Sequence, residues 1–255
     1  MVKVSIIGSG NVAQHLAKAF ENSSDVELLQ VYSRNKSDLQ HLPFAAKVTD
    51  NPNGLHAADL YVIAVSDSAI RSVAESLPFE GRLVVHTSGS VALSELDAKN
   101  RRGVLYPLQT FSKKRKIDFG QVPLCLETED PNDSVLLEKA ARAISGSIFS
   151  MDSQQRKAMH VAAVFASNFT NHLYALAADL CEKYSVPFEI LQPLIIETAS
   201  KISELPPLQA QTGPALRNDL PTIDAHLAML PDDNFKMIYK TLTQSIQQWQ
   251  KATKN

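Results

Sequence analysis

A glycine-rich turn between two apolar segments constrains this chain more than any other feature of its sequence. The apolar segment 2–7 leads into Gly8-x-Gly10-x-x-Ala13, a helical pattern over 12–21 and a second apolar segment, 26–32. Small residues at this spacing permit a tight turn, the approach of a pyrophosphate to the backbone, and close packing of the helix on the strand. We therefore predict a dinucleotide-binding strand, turn, helix and strand. The alternative is a turn with a purely structural role.

The start of the predicted helix is the expected phosphate site. Free amide groups point out of a helix N-terminus, and the helix dipole adds to their attraction for anions. The predicted cofactor contacts in this turn are Gly8, Ser9, Gly10, Asn11 and Val12.

The residues after the second apolar segment indicate which dinucleotide binds. NAD-selective sites place an acidic residue there, which accepts hydrogen bonds from the ribose 2′-hydroxyl, whereas NADP-selective sites place a cation. Here the sequence is Ser33-Arg34-Asn35-Lys36, without a carboxylate. Arg34 is therefore predicted to bind the 2′-phosphate of NADP, with Ser33 adding a donor and Lys36 a charge. The alternative is a solvated basic turn.

The alternation of apolar segments and helical patterns continues to about residue 150. It predicts strands at 58–65, 82–86, 103–108, 122–127 and 146–149, and helices at 69–77 and 133–145. Such alternation is typical of an α/β fold with a doubly wound, mostly parallel Rossmann sheet, whose ligands lie beyond the carboxyl ends of the strands.

Polar residues follow two of these predicted strands. Thr87 and Ser88 are expected to donate to a nicotinamide amide or to a substrate oxygen. His86 is either a proton donor or an orienting group hydrogen-bonded to backbone, and the sequence leaves both open. Asp67 or Ser68 is predicted to cap the following helix, with cofactor contact as the lesser alternative.

After residue 150 the strand patterns end and helical patterns take over. The run 154–184 is alanine-rich and contains neither glycine nor proline, and further helices are predicted at 188–204, 222–230 and 234–251. A helix of about 30 residues is about 45 Å long and usually crosses a domain or dimer interface. We therefore predict a dinucleotide-binding domain at 1–150 and an all-helical substrate and dimerisation domain at 151–255, which forms a homodimer.

One stripe of the long helix carries candidate catalytic residues. His160, Val164, Asn168 and His172 follow one another at intervals of four, among small and apolar neighbours. His160 and Asn168 are therefore predicted to be polar groups in a largely buried setting, projecting opposite the nicotinamide. The alternative is a pair of hydrogen-bonded core residues or a dimer contact.

A second candidate follows the turn Thr212-Gly213-Pro214. Arg217 and Asp219 could form an ion pair that braces this turn. Alternatively, the guanidinium of Arg217 binds a substrate carboxylate. The sequence alone does not choose between these two roles.

The composition excludes several classes of protein. With 44% hydrophobic residues, 20% charged residues and a formal net charge of -2, neither nucleic acid nor a membrane is an expected partner. The basic run 113–116 is predicted to be a solvated patch. Cys125 and Cys181 are too few and too far apart for a disulfide framework or a metal site, so we expect free thiols and a cytoplasmic location. No apolar run reaches the ~18 residues that span a bilayer.

Six motifs in this order resemble a known family. The chain is similar over nearly its whole length to Rossmann-like NADP oxidoreductases with a helical C-terminal domain of unknown function. These are related to pyrroline-5-carboxylate reductase and, more distantly, to the 6-phosphogluconate and 3-hydroxyisobutyrate dehydrogenases. The motifs are Gly8-Ser9-Gly10-Asn11-Val12, Ala64-Val65-Ser66-Asp67, His86-Thr87-Ser88-Gly89, Pro107-Leu108-Gln109-Thr110-Phe111, His160-Val161-Ala162-Ala163 with Ser167-Asn168, and Thr212-Gly213-Pro214 with Arg217 and Asp219.

The resemblance implies an oxidoreductase that uses NADP, with Val65, Ser66 and Thr87 as further cofactor contacts. This chain departs from the family at two positions, with Tyr106 where histidine often precedes Pro-Leu-Gln and Asn218 where glycine is frequent. More distant relatives use a lysine of the long helix as the catalytic acid. Lys157 is nearby here, but His160 fits the polar stripe better.

Two functions agree with these patterns. In the first, the chain transfers hydride between NADP and a small carbonyl, imine or hydroxy-acid substrate in a cleft between the domains. His160 would be the acid or base, Asn168 and Ser88 orienting donors, and Arg217 a carboxylate anchor. In the second, the chain binds NADP(H) without turnover, as a sensor or assembly module.

Overall fold

The computed structural model describes residues 1–35, 47–112 and 115–252. Lys36 and half of the predicted basic patch, residues 113 and 114, lie outside the described residues. The chain divides into two compact units, Met1–Ser167 and Asn168–Asn255. The first half of the long helix thus groups with the sheet, whereas the sequence pattern assigned it to the helical domain.

The first unit contains one eight-stranded sheet. Its strands are β1 (Val2–Ile7), β2 (Val26–Tyr32), β3 (Lys47–Thr49), β4 (Leu60–Ile63), β5 (Leu83–His86), β6 (Arg101–Pro107), β7 (Leu124–Thr128) and β8 (Ile148–Ser150). Helices on both faces exclude water, so β4 and β5 are buried along their whole length. The predicted α/β class with a doubly wound, mostly parallel Rossmann sheet is confirmed.

The strand order is β3-β2-β1-β4-β5-β6-β7-β8. All neighbours are parallel except β6 and β7, which pair antiparallel. The direction of the order reverses between β1 and β4, and such a switch point opens a crevice at the carboxyl ends of the strands. Strand β3 was not predicted, because three residues are too few to show a pattern.

Local sequence explains the helices of this unit, which are α1 (Asn11–Glu21), α2 (Ile70–Glu75), α3 (Pro131–Arg142) and α4 (Ser153–Ala163). Helix α1 buries Ala13, Leu16, Ala17 and Phe20, which recur at helical spacing and cover one face of the sheet. The side chain of Asp152 begins α4 with a capping box to Gln155. The predicted end of strand structure near residue 150 follows from this cap.

The predicted run 154–184 is helical, but it is not one regular α-helix. A π-helical segment, Val164–Phe169, separates α4 from α5 (Thr170–Lys183). Because π-helical bonds join residues five apart, one turn of this segment holds more residues than an α-helical turn. The predicted stripe of His160, Val164, Asn168 and His172 stays a prediction.

The second unit is helical throughout its described residues. Beyond α5 it contains α6 (Gln192–Lys201), α7 (Pro207–Ala210), α8 (Pro214–Arg217), α9 (Leu220–Met229) and α10 (Asp233–Ala252). Of its described residues, only Ala215 and Ile223 are buried, although the unit carries many large apolar side chains. Across the described part of the chain, no helix is both long and apolar enough to cross a membrane.

Candidate functional site

A cavity of about 630 Å³ lies at the carboxyl ends of β1, β2 and β4. This volume is within the range of roughly 300–1,000 Å³ that small-molecule sites occupy. Among the described residues, every predicted cofactor contact except Thr87 lines it, namely Gly8, Ser9, Gly10, Asn11, Val12, Ser33, Arg34, Val65 and Ser66. We call this space the nucleotide cavity.

The two glycines of the turn meet different steric demands. Gly8 has a φ of +133°, and a β-carbon there would overlap the carbonyl oxygen of Ala64. A β-carbon at Gly10 would meet nothing within 4 Å, so the open side of the turn faces the cavity. Gly10 also precedes α1, whose first turn has no acidic residue and no side-chain cap. The start of α1 therefore fits a pyrophosphate, since no side chain caps it.

The end of the nucleotide cavity that the residues after β2 form fits a 2′-phosphate better than a free 2′-hydroxyl. We call this part the far end of the cavity. Arg34 is exposed there, and no carboxylate of the described residues forms an ion pair with it. The hydroxyl of Ser33 is buried, donates to the carbonyl of Asn35 and accepts from the Asn35 amide, at 3.0 and 3.3 Å. Ser33 thus shapes the turn that presents Arg34.

The segment after β6 forms another wall of the nucleotide cavity through Gln109 and Phe111. The side-chain amide of Asn11 donates to the carbonyl of Phe111 at 2.9 Å. A ring nitrogen of His15 lies 3.1 Å from the carbonyl of Ser112, and its ring packs on Phe111. Asn11 therefore binds this wall as well as lining the cavity. The motif 107–111 was noted in the sequence, but its role required the fold.

Beyond the nucleotide cavity, two side chains of the first unit meet at the carboxyl ends of β5 and β6. The Tyr106 hydroxyl lies 3.1 Å from Nδ1 of His160. Gly89 packs against both rings, since a β-carbon there would lie 2.7 Å from His160 Nδ1 and from Tyr106 Cζ. Burial raises the pKa of Tyr106, so its hydroxyl stays protonated at neutral pH. Tyr106 is thus the hydrogen-bond partner of His160.

The loop 88–91 carries Gly89 to this pair. The Ser88 hydroxyl accepts from the amides of Ser90 and Val91, both at 3.1 Å. The Ser90 hydroxyl donates to the carboxylate of Asp67 at 2.6 Å. The predicted capping role of Asp67 and Ser68 is therefore wrong: neither side chain caps α2. Asp67 instead ties the loop to the end of β4.

His86 is a buried, neutral orienting group rather than a proton donor. Its Nδ1 accepts from the amide of Ser88 at 3.1 Å. Desolvation, followed by the charge of Arg156, lowers the pKa of His86 to about 4. An imidazole that is neutral at physiological pH and holds a backbone amide fits the orienting alternative.

Arg156 was missed by the sequence analysis. It is completely buried on α4, where its guanidinium pairs with Glu127 and donates to the carbonyls of Ser88 and Val91. The Ser153 hydroxyl lies between Glu127 and Arg156, because it donates to the Glu127 carboxylate at 2.8 Å and accepts from the guanidinium. Nothing in the sequence distinguishes Arg156 from the exposed polar residues beside it.

The surroundings of the predicted helix residues differ from expectation. Val161 and Phe165 are 57% and 65% exposed, and Asn168 is exposed as well. Asn168 is therefore not in the predicted largely buried setting, whereas His160 is half-buried with its ring against Gly89 and Tyr106. Asn168 and Arg217 belong to the second unit, so their predicted roles stay predictions.

The predicted turn at 212–214 is present, and it organises two helices. Gly213 has a φ of +105°, and Pro214 is the first residue of α8. Asn218 ends that helix in the left-handed region, with a φ of 53°. Since this region favours glycine first and asparagine next, Asn218 suits the left-handed conformation at this helix end.

Asp219 is a helix cap rather than a partner of Arg217. Its carboxylate accepts from the amide and hydroxyl of Thr222, at 3.3 and 2.8 Å, and begins α9. These hydrogen bonds lower the pKa of Asp219. Within the described residues, Arg217 and Asp219 do not form an ion pair.

Comparison with known proteins gives matches in both halves of the chain. Residues 3–89 match the family described as NADP oxidoreductase, coenzyme F420-dependent, and residues 122–246 match a domain of unknown function, DUF2520. A crystal structure from Bacteroides fragilis, provisionally described as an NADP oxidoreductase, is 40% identical. That match covers 97% of this chain and 98% of that chain, with a TM-score of 0.88.

Two more distant solved structures share the fold. A reductive aminase from Aspergillus terreus, in complex with NADPH and ethyl levulinate, is 14% identical with a TM-score of 0.75, covering 96% of this chain and 93% of that chain. A pyrroline-5-carboxylate reductase from Coxiella burnetii is 16% identical with a TM-score of 0.57, covering 98% of each chain. No curated protein matches the chain.

Proposed function

Since this chain belongs to the family of NADP oxidoreductases that carry a helical domain of unknown function, we propose that it is a reductase or dehydrogenase of a small carbonyl, imine or hydroxy acid. Bound NADP would supply or accept the hydride. The protein's own contribution is then to bind the cofactor, orient the substrate and exchange one proton.

The nucleotide cavity supports NADP as the cofactor. Its glycine turn leaves the start of α1 open to a pyrophosphate. Its far end carries Arg34 and no carboxylate of the described residues. A guanidinium binds a phosphate through two charge-assisted hydrogen bonds, which a ribose hydroxyl cannot match.

The observation that carries the catalytic proposal is the hydrogen bond between Tyr106 and His160. It ties Nδ1 of His160 to a protonated hydroxyl. The described residues offer no hydrogen-bond partner to Nε2 of the same ring. We assign this nitrogen to proton exchange with the substrate, with Tyr106 fixing the ring. Such acid or base assistance contributes about 10²- to 10⁴-fold to the rate.

The remaining predicted residues take secondary roles in this proposal. Ser88 accepts two amide bonds within its own loop, which fits a residue that positions the loop. Thr87 is half-buried at the end of β5 and keeps its predicted role as a donor to the nicotinamide amide. Asn168 and Arg217 keep their predicted roles as an orienting donor and a carboxylate anchor.

A substrate screen tests the proposal. Imines, keto acids and hydroxy acids would be offered with NADPH or NADP, and absorbance at the nicotinamide band would be followed. For the best substrate, His160→Gln should reduce kcat by about 10²- to 10⁴-fold, while Tyr106→Phe should reduce it less. Full turnover by His160→Gln would contradict the assignment. Arg142→Gln, on the exposed face of α3, is the matched control.

The alternative is a module that binds NADP(H) without turnover. It is favoured by the exposure of Asn168 and of the apolar residues beside it. Tight NADPH binding with no turnover in the whole screen would support this alternative and contradict the catalytic proposal.

We also propose a homodimer formed through the helical unit. Ile190 and Leu194, one turn apart, are 65% and 61% exposed, and Ile196 is 67% exposed. Helix α6 has no buried residue. Soluble monomers rarely expose apolar side chains in such density, and a second copy would cover them. Light scattering after size exclusion tests this: a monomer at micromolar concentration would contradict it, and Leu194→Glu should dissociate a dimer.

The cytoplasm remains the proposed compartment. Cys125 is buried and Cys181 half-buried, and both thiols are free. Free thiols of this kind agree with a reducing environment.

A further inference from the structure

Arg156 carries a full charge in the interior of the first unit. Its side chain is 1% exposed, and removing a guanidinium from water is costly unless partners satisfy it. The partners are the Glu127 carboxylate, the carbonyls of Ser88 and Val91, and the Ser153 hydroxyl. The carboxylate explains the charge pair, but the two carbonyls belong to a different segment, the loop 88–91.

Those two carbonyls lie on either side of Gly89. Gly89 packs against the rings of Tyr106 and His160 so closely that even one added carbon would overlap them. The position of the loop therefore limits where both rings can lie. The same loop is attached through the Ser88 amide to His86. Arg156 is the only cationic side chain of the described residues that donates to this loop.

Arg156 also fixes the position of α4, the helix that carries His160. His160 follows it by four residues on α4, so the two side chains leave the same face of the helix, one turn apart. A guanidinium that binds β7 through Glu127 and the loop through two carbonyls sets the distance between the helix and the sheet. His160 lies one helical turn further along α4, and this distance between helix and sheet brings its ring within reach of Tyr106.

We propose that Arg156 is a positioning residue, which holds the loop 88–91 and α4 together so that His160 keeps its hydrogen bond to Tyr106. The effect on catalysis that we expect from this positioning rests on the proposed function. The positioning itself can be observed without turnover, in the ring signals of His160. A purely structural ion pair with Glu127 would stabilise the fold and leave these signals unchanged when both charges are kept.

Arg156→Lys separates the two cases. Lysine keeps the charge opposite Glu127, but a single ammonium cannot reach the carboxylate and both carbonyls in the fixed fork of a guanidinium. Arg142→Lys is the control, because Arg142 pairs with Glu138 on an exposed helix face. The readouts are the melting temperature, NADPH affinity by fluorescence, and the side-chain NMR signals of His160 in isotope-labelled protein.

We expect Arg156→Lys to bind NADPH within about twofold of wild type, to shift the His160 ring signals, and to lower kcat on the identified substrate by about 10- to 100-fold. Arg142→Lys should change none of these. Unchanged His160 signals in folded Arg156→Lys would overturn the proposal. Shifted signals with an unchanged kcat would instead contradict the role of His160 in the proposed function.

A second variant covers the case in which Arg156→Lys does not fold. Glu127→Gln keeps an acceptor for the guanidinium but removes its counter-charge, so Arg156 should retain the carbonyls and move only slightly. We expect a shift of the His160 signals that is smaller than the shift in Gly89→Ala, where the added carbon contacts the ring directly. No shift in folded Glu127→Gln would overturn the proposal. If wild type turns over no substrate, the proposed function fails, and the His160 signals still decide the positioning role.

Discussion

A β-carbon on Gly89 would lie 2.7 Å from Nδ1 of His160, closer than carbon and nitrogen can pack. Gly89 is therefore a spacer between the end of β5 and the ring of His160. Its backbone φ is not in the left-handed region, so the requirement for glycine here comes from contact with other side chains.

Gly89→Ala should displace the His160 ring and break its hydrogen bond to Tyr106. We expect kcat to fall by at least about tenfold, with a loss of about 1–3 kcal/mol in the free energy of unfolding from overpacking. NADPH affinity should change little, because Gly89 does not line the nucleotide cavity. Gly146→Ala is the control, since an added carbon there meets only one atom, at 3.7 Å. Wild-type kcat in Gly89→Ala would contradict the assignment.

Gly8→Ala should mainly lower the free energy of unfolding, whereas Gly10→Ala should mainly weaken NADPH binding. Alanine at Gly8 combines a positive φ with a clash against the Ala64 carbonyl, so the free energy of unfolding should fall by at least about 2 kcal/mol. Alanine at Gly10 meets no protein atom and should cost less than about 1 kcal/mol. Its methyl group would occupy the approach of the pyrophosphate and weaken NADPH binding. Urea denaturation and NADPH fluorescence measure the two effects, and intact NADPH affinity in Gly10→Ala would argue against this phosphate site.

Arg34→Ala should weaken NADPH binding by about 10- to 100-fold, the loss of roughly 1.5–3 kcal/mol of charge-assisted hydrogen bonding. NADH has no 2′-phosphate, so its affinity should change by less than about threefold. Titration of both cofactors into wild type, Arg34→Ala and the control Arg142→Ala measures the difference. Equal losses for NADPH and NADH would remove Arg34 from the 2′-phosphate site.

His86 makes the stability of the protein depend on pH. Its pKa is lowered from 6.5 to about 4 in the folded protein. As the pH falls through this range, the unfolded chain takes up a proton before the folded one, and the free energy of unfolding decreases. The decrease attributable to His86 is at most about 3 kcal/mol between pH 6.5 and 4.

Urea denaturation at several pH values tests this effect. His86→Asn keeps an acceptor at the δ position for the Ser88 amide but cannot titrate, so its stability should fall less steeply than that of wild type below pH 6.5. His56→Asn, at an exposed position, should retain the wild-type slope. Identical slopes for His86→Asn and wild type would show that His86 is not kept neutral by burial.

Local rules explain what the sequence predicted well. The glycine turn, α1 and the first two strands follow from steric limits and apolar spacing within about 30 residues, and all appear as expected. The NADP preference also came from a local comparison, because one missing carboxylate at the end of β2 decides it. The capping box of Asp152 and Gln155 is of the same kind.

Contacts between distant segments explain what the sequence could not supply. Tyr106 and His160 are separated by 54 residues, and no pattern in either segment reports the other. The antiparallel pairing of β7 is equally hidden, since a strand buried on both faces has the same apolar pattern in either direction. The π-helical segment contains no glycine or proline, so its sequence does not indicate a change from α-helical geometry. The local sequence predicts that Asp67 is a cap, because its actual partner, Ser90, lies 23 residues away on a later loop.

The reversal between β6 and β7 decides the direction in which α4 approaches the site. Glu127 lies opposite Val104, two residues before Tyr106 on β6. From Arg156 to His160 the helix advances four residues, about 6 Å, and from Val104 to Tyr106 the strand advances two residues, about 6.6 Å. Helix and strand therefore progress side by side toward the same edge of the sheet. An insertion or deletion of one residue between Arg156 and His160 would turn the imidazole about 100° around the helix, so this interval should tolerate substitution but not a change of length.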